Sequence, residues 1–116
     1  MNPSQKKKVM QEMLKMLEKM FELSKVAAIE QNNDKLNSMR LEFISLNRLY
    51  SGLTSNIIPT KLSSNPEDLA TMFDTARNDL TNVFSEWISL ESRRRPLIVA
   101  EKKIKLIKQK LNEMVD

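Results

Sequence analysis

The sequence predicts an all-α fold, an antiparallel bundle of about four helices in a single domain that spans residues 1–116. Apolar residues recur at alternating steps of three and four along most of the chain, which is the spacing of one face of an α-helix. The chain contains one Gly and four Pro, so residues that interrupt helices are rare. With 116 residues it is long enough for one modest hydrophobic core. We therefore expect amphipathic helices that bury their apolar faces against one another.

The first predicted helix spans residues 3–31, with Asn2 or Ser4 as its N-cap and Pro3 in its first turn. When its residues are placed at intervals of about 100°, the apolar ones occupy about half of the helix circumference. An apolar face of this width contacts more than one neighbouring helix. We expect this helix to lie against several others.

The second predicted helix spans residues 34–51, and Asn33 or Asp34 is expected to cap it after a very short turn. Gly52 follows the helix and predicts a left-handed residue there, with Leu53 folding back onto the last turn. The first two helices then form an antiparallel hairpin. The apolar positions of the second helix are Leu36, Met39, Phe43, Ile44, Leu46 and Tyr50.

Residues 53–65 are rich in turn-forming residues and predict one long connection. The third predicted helix, residues 66–92, begins with a proline and two acidic residues, which favour the positive end of a helix dipole. The fourth spans residues 96–115 and begins at Pro96, which removes a helical hydrogen bond and disfavours helical geometry at the preceding residue. Two alternatives stay open: a hairpin of two helices, or one long helix kinked at Pro96.

The composition excludes most catalytic chemistry. The chain has no His and no Cys, so zinc sites of the usual type, catalytic triads and di-iron sites of the Glu-x-x-His type lack their ligands. A single Gly cannot supply a phosphate-binding loop. The adjacent carboxylates Glu67 and Asp68 are explained by the helix dipole. The sequence identifies no catalytic, metal-ligating or cofactor-binding residue, and we expect a protein that is not an enzyme and has no cofactor.

Methionine is abundant, with eight in the chain, and several lie in the first helix. Unbranched thioether side chains repack easily around varied shapes, so this face predicts an adaptable surface for a partner helix. The alternative is an ordinary hydrophobic core. The candidate partner-binding residues are Met10, Met13, Met16, Leu17, Met20 and Phe21.

Charge is unevenly distributed along the chain. Residues 67–92 carry one positive and six negative charges, a net of −5, whereas residues 93–116 carry eight positive and three negative charges, a net of +5. This contrast favours two neighbouring helices, in one subunit or in two, that attract each other. A surface that binds nucleic acid is the alternative. The candidate basic patch consists of Arg93, Arg94, Arg95, Lys102, Lys103 and Lys105.

Residues 10–53 resemble a known hairpin. A long helix with a Leu-rich and Met-rich face, a tight polar turn at residues 31–36 and a shorter helix containing Met-Arg-Leu-Glu-Phe-Ile-Ser-Leu at 39–46 look like the small flagellar and type III export chaperones. This resemblance implies that the protein binds one export substrate through an exposed amphipathic surface and holds it unassembled.

These observations together predict a non-enzymatic protein-interaction module: a small helical chaperone, adaptor or regulator that binds a protein partner through amphipathic helices. A homodimer is expected, because one short bundle would not cover all the apolar faces. The alternative is a small nucleic-acid-associated regulator that uses the basic C-terminal helix. The longest apolar run is Leu97 to Ala100, too short for a membrane span, so we expect a cytoplasmic protein without a membrane partner.

Overall fold

The computed structural model describes residues 3–54, 69–84 and 91–114, and within these ranges the chain is helical with short turns. The helices are α1 (Pro3–Ala27), α2 (Asn33–Thr54), α3 (Leu69–Val83) and α4 (Arg94–Glu113). A 3₁₀ turn (Glu91–Arg93) leads directly into α4. The predicted all-α bundle of four helices is confirmed.

The four helices run up and down in alternation. Near one end of the bundle Lys7 of α1 meets Met114 after α4, and at the other end Arg93 meets Glu30 after α1, so α1 and α4 are antiparallel. Asp79 of α3 pairs with Lys103 of α4, which joins α3 and α4 as a hairpin. Of the two alternatives at the C-terminal half, the structure shows the hairpin and excludes one continuous helix.

Helix α1 occupies the centre of the packing. It contacts α2 on one side and both α3 and α4 on the other, as the wide apolar face predicted. Among the described residues, no Cα atom of α2 comes within 8 Å of α3 or of α4. Helices α2 and α4 therefore lie at opposite corners of the bundle, with α1 between them.

A single core joins the four helices. The aromatic ring of Phe43 from α2 lies against that of Phe84 after α3, with centroids 4.6 Å apart, and closes the wider α2 to α3 side. Buried Ser24 satisfies its hydroxyl by donating a hydrogen bond to the carbonyl oxygen of Met20 at 2.7 Å. The largest fully buried side chains of the described residues are Tyr50, Phe73, Met13, Leu17, Met20, Leu80, Ile107, Leu111 and Val83.

The structure contradicts the helix break predicted at Pro96. Pro96 is the third residue of α4, and Arg94 and Arg95 before it are already helical. The first amides of a helix have no partner within the helix, so proline removes no hydrogen bond in the first turn. Glu91 and Ser92, predicted to end the third helix, lie instead in the 3₁₀ turn that precedes α4.

The second helix also differs from its prediction at both ends. Its N-cap is Asn32, whose Oδ1 accepts hydrogen bonds from the amides of Asp34 and Lys35 at 2.9 and 3.1 Å. Gly52 has no left-handed conformation, and α2 continues through it to Thr54. The left-handed end predicted at Gly52 is therefore wrong, since the helical spacing of the apolar residues continues to half-buried Leu53.

Other predicted features fall outside the described ranges. They are the N-cap at Asn2, residues 55–65 of the connection predicted over 53–65, and residues 66–68 and 85–90 of the predicted third helix. Residues 53 and 54, predicted to begin that connection, belong to α2. The first helix ends at Ala27 rather than at residue 31. Amides of the next residues donate to carbonyls of the last turn, as Ala28 does to Ser24 at 2.9 Å.

Candidate functional site

The methionine-rich face of α1 lies inside the bundle. Met13, Leu17 and Met20 are completely buried and Met10 is nearly so, whereas Met16 and Phe21 are half-buried at its edge. Packing against α2 on one side and α3 and α4 on the other accounts for this burial. Of the six candidate partner-binding residues, four belong to the core of the monomer. Only the edges of Met16 and Phe21 are accessible to another molecule.

The candidate basic patch divides into two groups. Arg93 and Lys103 are partly buried and make contacts within the fold, whereas Arg94, Arg95, Lys102 and Lys105 are exposed. The Lys103 ammonium lies 2.6 Å from the Asp79 carboxylate, a direct pair between the basic and acidic segments. The six side chains therefore do not form one continuous surface for a ligand.

Arg93 is held at the end of α1. Its Nη1 donates to the carbonyl oxygens of Ala27 at 3.1 Å and Glu30 at 3.2 Å. The last carbonyls of a helix lack partners within the helix and carry the negative end of its dipole, so a guanidinium stabilises them. Arg93 fixes the start of α4 beside the end of α1.

Two further helix ends are capped in the same way from a neighbouring element. Arg40 of α2 donates from Nε to the carbonyl oxygen of Phe84, just after α3, at 2.9 Å. Lys7 of α1 donates from Nζ to the carbonyl oxygen of Met114, just after α4, at 3.0 Å. In each of these contacts, a cation from one element binds a carbonyl at the C-terminal end of another helix. Sequence reasoning missed these contacts, because helical spacing does not show which helix ends meet.

Exposed apolar side chains form the accessible part of the candidate site. On α2, Leu41, Ile44 and Leu49 are 68, 46 and 62% exposed. Ile44 was predicted to pack inside with Phe43, but helical geometry turns it towards the outer face. Leu41 and Leu49 were not identified from the sequence. Their signal was present, since neither fits the spacing of Leu36, Phe43 and Tyr50.

A groove adjoins the outer face of α2. It has a volume of about 390 Å³ and lies between α2 and the end of α3. Because the α2 and α3 backbones stay more than 8 Å apart at their Cα atoms, long side chains alone bridge this side of the bundle. The groove is mostly apolar, and its lining residues are Arg40, Phe43, Ile44, Thr81, Asn82 and Phe84.

A second group of exposed apolar residues lies on α4. Ile98, Val99 and Leu106 are 55, 38 and 47% exposed, and they alternate with Arg95 and Lys102 along the same face. The opposite face of α4 is buried in the core through Ala100, Ile104, Ile107 and Leu111. Both faces of α4 are therefore apolar in part, and among the described residues only one of them is buried by packing.

Tyr50 is a buried titratable side chain whose pKa is clearly displaced. Burial raises the pKa of its hydroxyl well above the ordinary value of 10.0, an effect opposed by the nearby charge of Arg77 and reinforced by that of Asp74. The hydroxyl has no hydrogen-bond partner among the described residues. Tyr50 therefore serves the packing of α2 and stays neutral.

Within residues 3–54, 69–84 and 91–114, no three acidic side chains come together in a way that could hold a metal ion. None of the helices in these ranges combines the length and apolar character of a membrane span. Comparisons with protein-family models, curated proteins and solved structures find no match to this chain.

Proposed function

We propose that the protein is a non-enzymatic protein-interaction module that binds a protein partner through the outer face of α2. The observation that carries the proposal is the exposure of Leu41, Ile44 and Leu49 on the half of this helix that faces away from the core, over an arc of about 140°. Single exposed apolar residues are common, but three on this half of the helix, with Ile44 at the edge of an apolar groove, favour a site for another protein. None of the three belongs to the hydrophobic core of the described residues.

The size of the contact fits a modest interaction. Covering the exposed half or more of a Leu or Ile side chain contributes about 1 kcal/mol each, since full burial contributes about 1.5–3 kcal/mol. Three such side chains and the adjoining groove edge at Phe43 and Phe84 can support binding when polar contacts are added at the rim. An amphipathic helix or an apolar extended segment of another protein would satisfy this surface.

The resemblance of residues 10–53 to export chaperones supplies a narrower form of the proposal. In this form the α1 and α2 hairpin holds one unassembled protein, and the exposed α2 residues make the contact. The apolar edge that a chaperone needs lies on α2 and on the margin of α1 at Met16 and Phe21, because the remaining α1 methionines are in the core.

A double substitution in α2 tests the proposal. The tagged protein and its Leu41→Ser, Leu49→Ser variant are used to capture partners from cells of the native source, with and without nuclease. Val26→Ser on α1 is the matched control, since it also removes an exposed apolar side chain from a helix surface and lies outside this face. Loss of a specific protein partner with the α2 variant, and its retention with the control and after nuclease, supports the proposal. Equal capture by all three proteins contradicts it.

A homodimer remains part of the proposal and is tested separately. Light scattering at micromolar concentration should give about twice the mass of the 13.5 kDa chain. The α2 variant should shift the mass towards the monomer if the same face joins two copies. If the wild-type protein is monomeric, the partner bound by the α2 face is a different protein and not a second copy.

The alternative function is binding of nucleic acid, and exposed Arg94, Arg95, Lys102 and Lys105 favour it. Phosphate binding through these residues predicts an affinity that falls as the salt concentration rises. The logarithm of the binding constant should fall with the logarithm of the salt concentration, with a slope of about −0.9 for each phosphate neutralised on duplex DNA. A titration at two ionic strengths measures this slope. Submicromolar, strongly salt-dependent binding would favour the alternative over the protein-interaction proposal.

A further inference from the structure

We infer that the outer face of α4 is a second docking surface, separate from α2, and that it binds an acidic amphipathic helix of another protein. We call this face the α4 strip and define it by Arg95, Ile98, Val99, Lys102 and Leu106. When residues are placed about 100° apart, these five fall within an arc of about 100°. The strip faces away from the core residues of α4, and its side chains are exposed in the described part of the chain.

The charges of the α4 strip are not neutralised within the described chain. Some exposed lysines of the bundle stand beside acids, as Lys15 does with Glu12 at 3.2 Å and Lys25 with Glu22 at 3.3 Å. Arg95 and Lys102 have no ion pair among the described residues. A partner with Asp or Glu beside its apolar positions would supply the missing opposite charge.

The apolar members of the α4 strip select a protein over other polyanions. A nucleic-acid backbone offers phosphates to Arg95 and Lys102 but leaves Ile98 and Leu106 without an apolar contact. An anionic membrane would have to bury the apolar residues together with the charges placed between them, because the other face of α4 is committed to the core. A partner helix with alternating acidic and apolar residues matches both kinds of side chain.

Two copies of this chain do not fit against each other strip to strip. Two strips would bring Arg95 and Lys102 of each copy against like charges. In the acidic segment, the acids whose side chains the structure describes, Asp74 and Asp79, already pair with Arg77 and Lys103. The strip from residue 95 to 106 is about 17 Å long at about 1.5 Å per residue, which matches about three turns of a partner helix.

Selection from a peptide library tests this inference. A display library of helix-favouring peptides of about 18 residues, randomised at all surface positions, is selected on the wild-type protein. It is counter-selected on the Lys102→Glu, Leu106→Ser variant. We expect enriched peptides that carry apolar residues at steps of three and four with Asp or Glu beside them.

One enriched peptide is then measured by fluorescence anisotropy against single variants. Lys102→Glu and Leu106→Ser should each weaken binding by about tenfold. The loss caused by Lys102→Glu should shrink as the salt concentration rises, because salt screens the charges. The matched controls are Lys19→Glu and Val26→Ser on α1, both exposed, and each should change affinity by less than about twofold. Circular dichroism checks that all variants keep the helical content of the wild type.

Several outcomes would overturn the inference. They are enrichment of basic or uncharged peptides, equal binding to the α4 variants, or a selection that yields no specific peptide. A short DNA duplex or a phosphatidylserine vesicle that binds more tightly than the peptide, and does so independently of Leu106, would also reject a protein partner at this face. None of these results affects capture through Leu41 and Leu49, so failure here and failure of the proposed function are distinguishable.

Discussion

Replacing Arg93 with alanine should destabilise the fold by about 2 kcal/mol. Its Nη1 makes two hydrogen bonds, to Ala27 at 3.1 Å and Glu30 at 3.2 Å. Hydrogen bonds to a charged group contribute about 1.5–3 kcal/mol each, and we take the lower end because both share one nitrogen. The buried Nε of Arg93 has no partner among the described residues, and its removal returns about 1 kcal/mol. The balance is a loss of about 2 kcal/mol.

Urea denaturation followed by circular dichroism measures this loss. For a domain of this size the slope is about 1–3 kcal/mol per molar urea, so the midpoint should fall by about 1 M. Arg94→Ala and Arg95→Ala remove the same charge from exposed positions and should stay within about 0.5 kcal/mol of the wild type. Equal losses at all three arginines would refute the capping role, because the net charge alone would then account for them.

Three further predictions follow from burial and helix geometry. Leu80→Ala, at a fully buried position, should lower the free energy of unfolding by about 2–5 kcal/mol in urea denaturation. Leu41→Ala, at an exposed position, should lower it by about 0.5 kcal/mol or less, and similar losses at both positions would contradict the core assignment. Gly52→Ala should raise the free energy of unfolding by about 0.5–1 kcal/mol, because Gly52 is helical and the added Cβ meets nothing within 4 Å. A lower free energy of unfolding would mean that Gly52 is not helical in solution. Tyr50 has its pKa raised by burial, so its contribution to stability is complete below pH 10.0 and is lost as the pH rises above that value. Tyr50→Phe should remove this alkaline loss in pH-dependent melting, and an unchanged profile would exclude Tyr50 as its cause.

The fold was predictable because each helix carries its own apolar spacing. Leu36, Phe43 and Tyr50 recur at steps of seven and all three are buried. The ends of the helices were less predictable, since competing residues such as Asn32 and Asn33 can both serve as caps and tertiary contacts decide between them. At Pro96 the sequence rule applies to a helix interior, whereas the residue lies in a first turn, where the same proline costs little.

The candidate site was less predictable than the fold. The methionines of α1 have the same spacing whether they face a core or a partner, and the position of α3 and α4 decides which. The basic segment had the same ambiguity. Arg93 and Arg94 are adjacent and identical in type, yet one caps α1 and the other is exposed. Charge counts along a sequence cannot separate these roles, because they depend on which helix ends meet in space.

The position of the two proposed surfaces favours an adaptor over a chaperone with a single substrate. Helices α2 and α4 share α1 as a neighbour and have no Cα atoms within 8 Å of each other in the described residues. Their outer faces therefore point away from opposite corners of the bundle, and a helix of about 10 Å diameter bound at one face would not cover the other. Their chemistry also differs, since Leu41 and Leu49 flank mainly polar neighbours whereas Ile98 and Leu106 alternate with cations. Two surfaces of different chemistry on separate corners can hold two different partners at once, which a chaperone for one unassembled protein does not require.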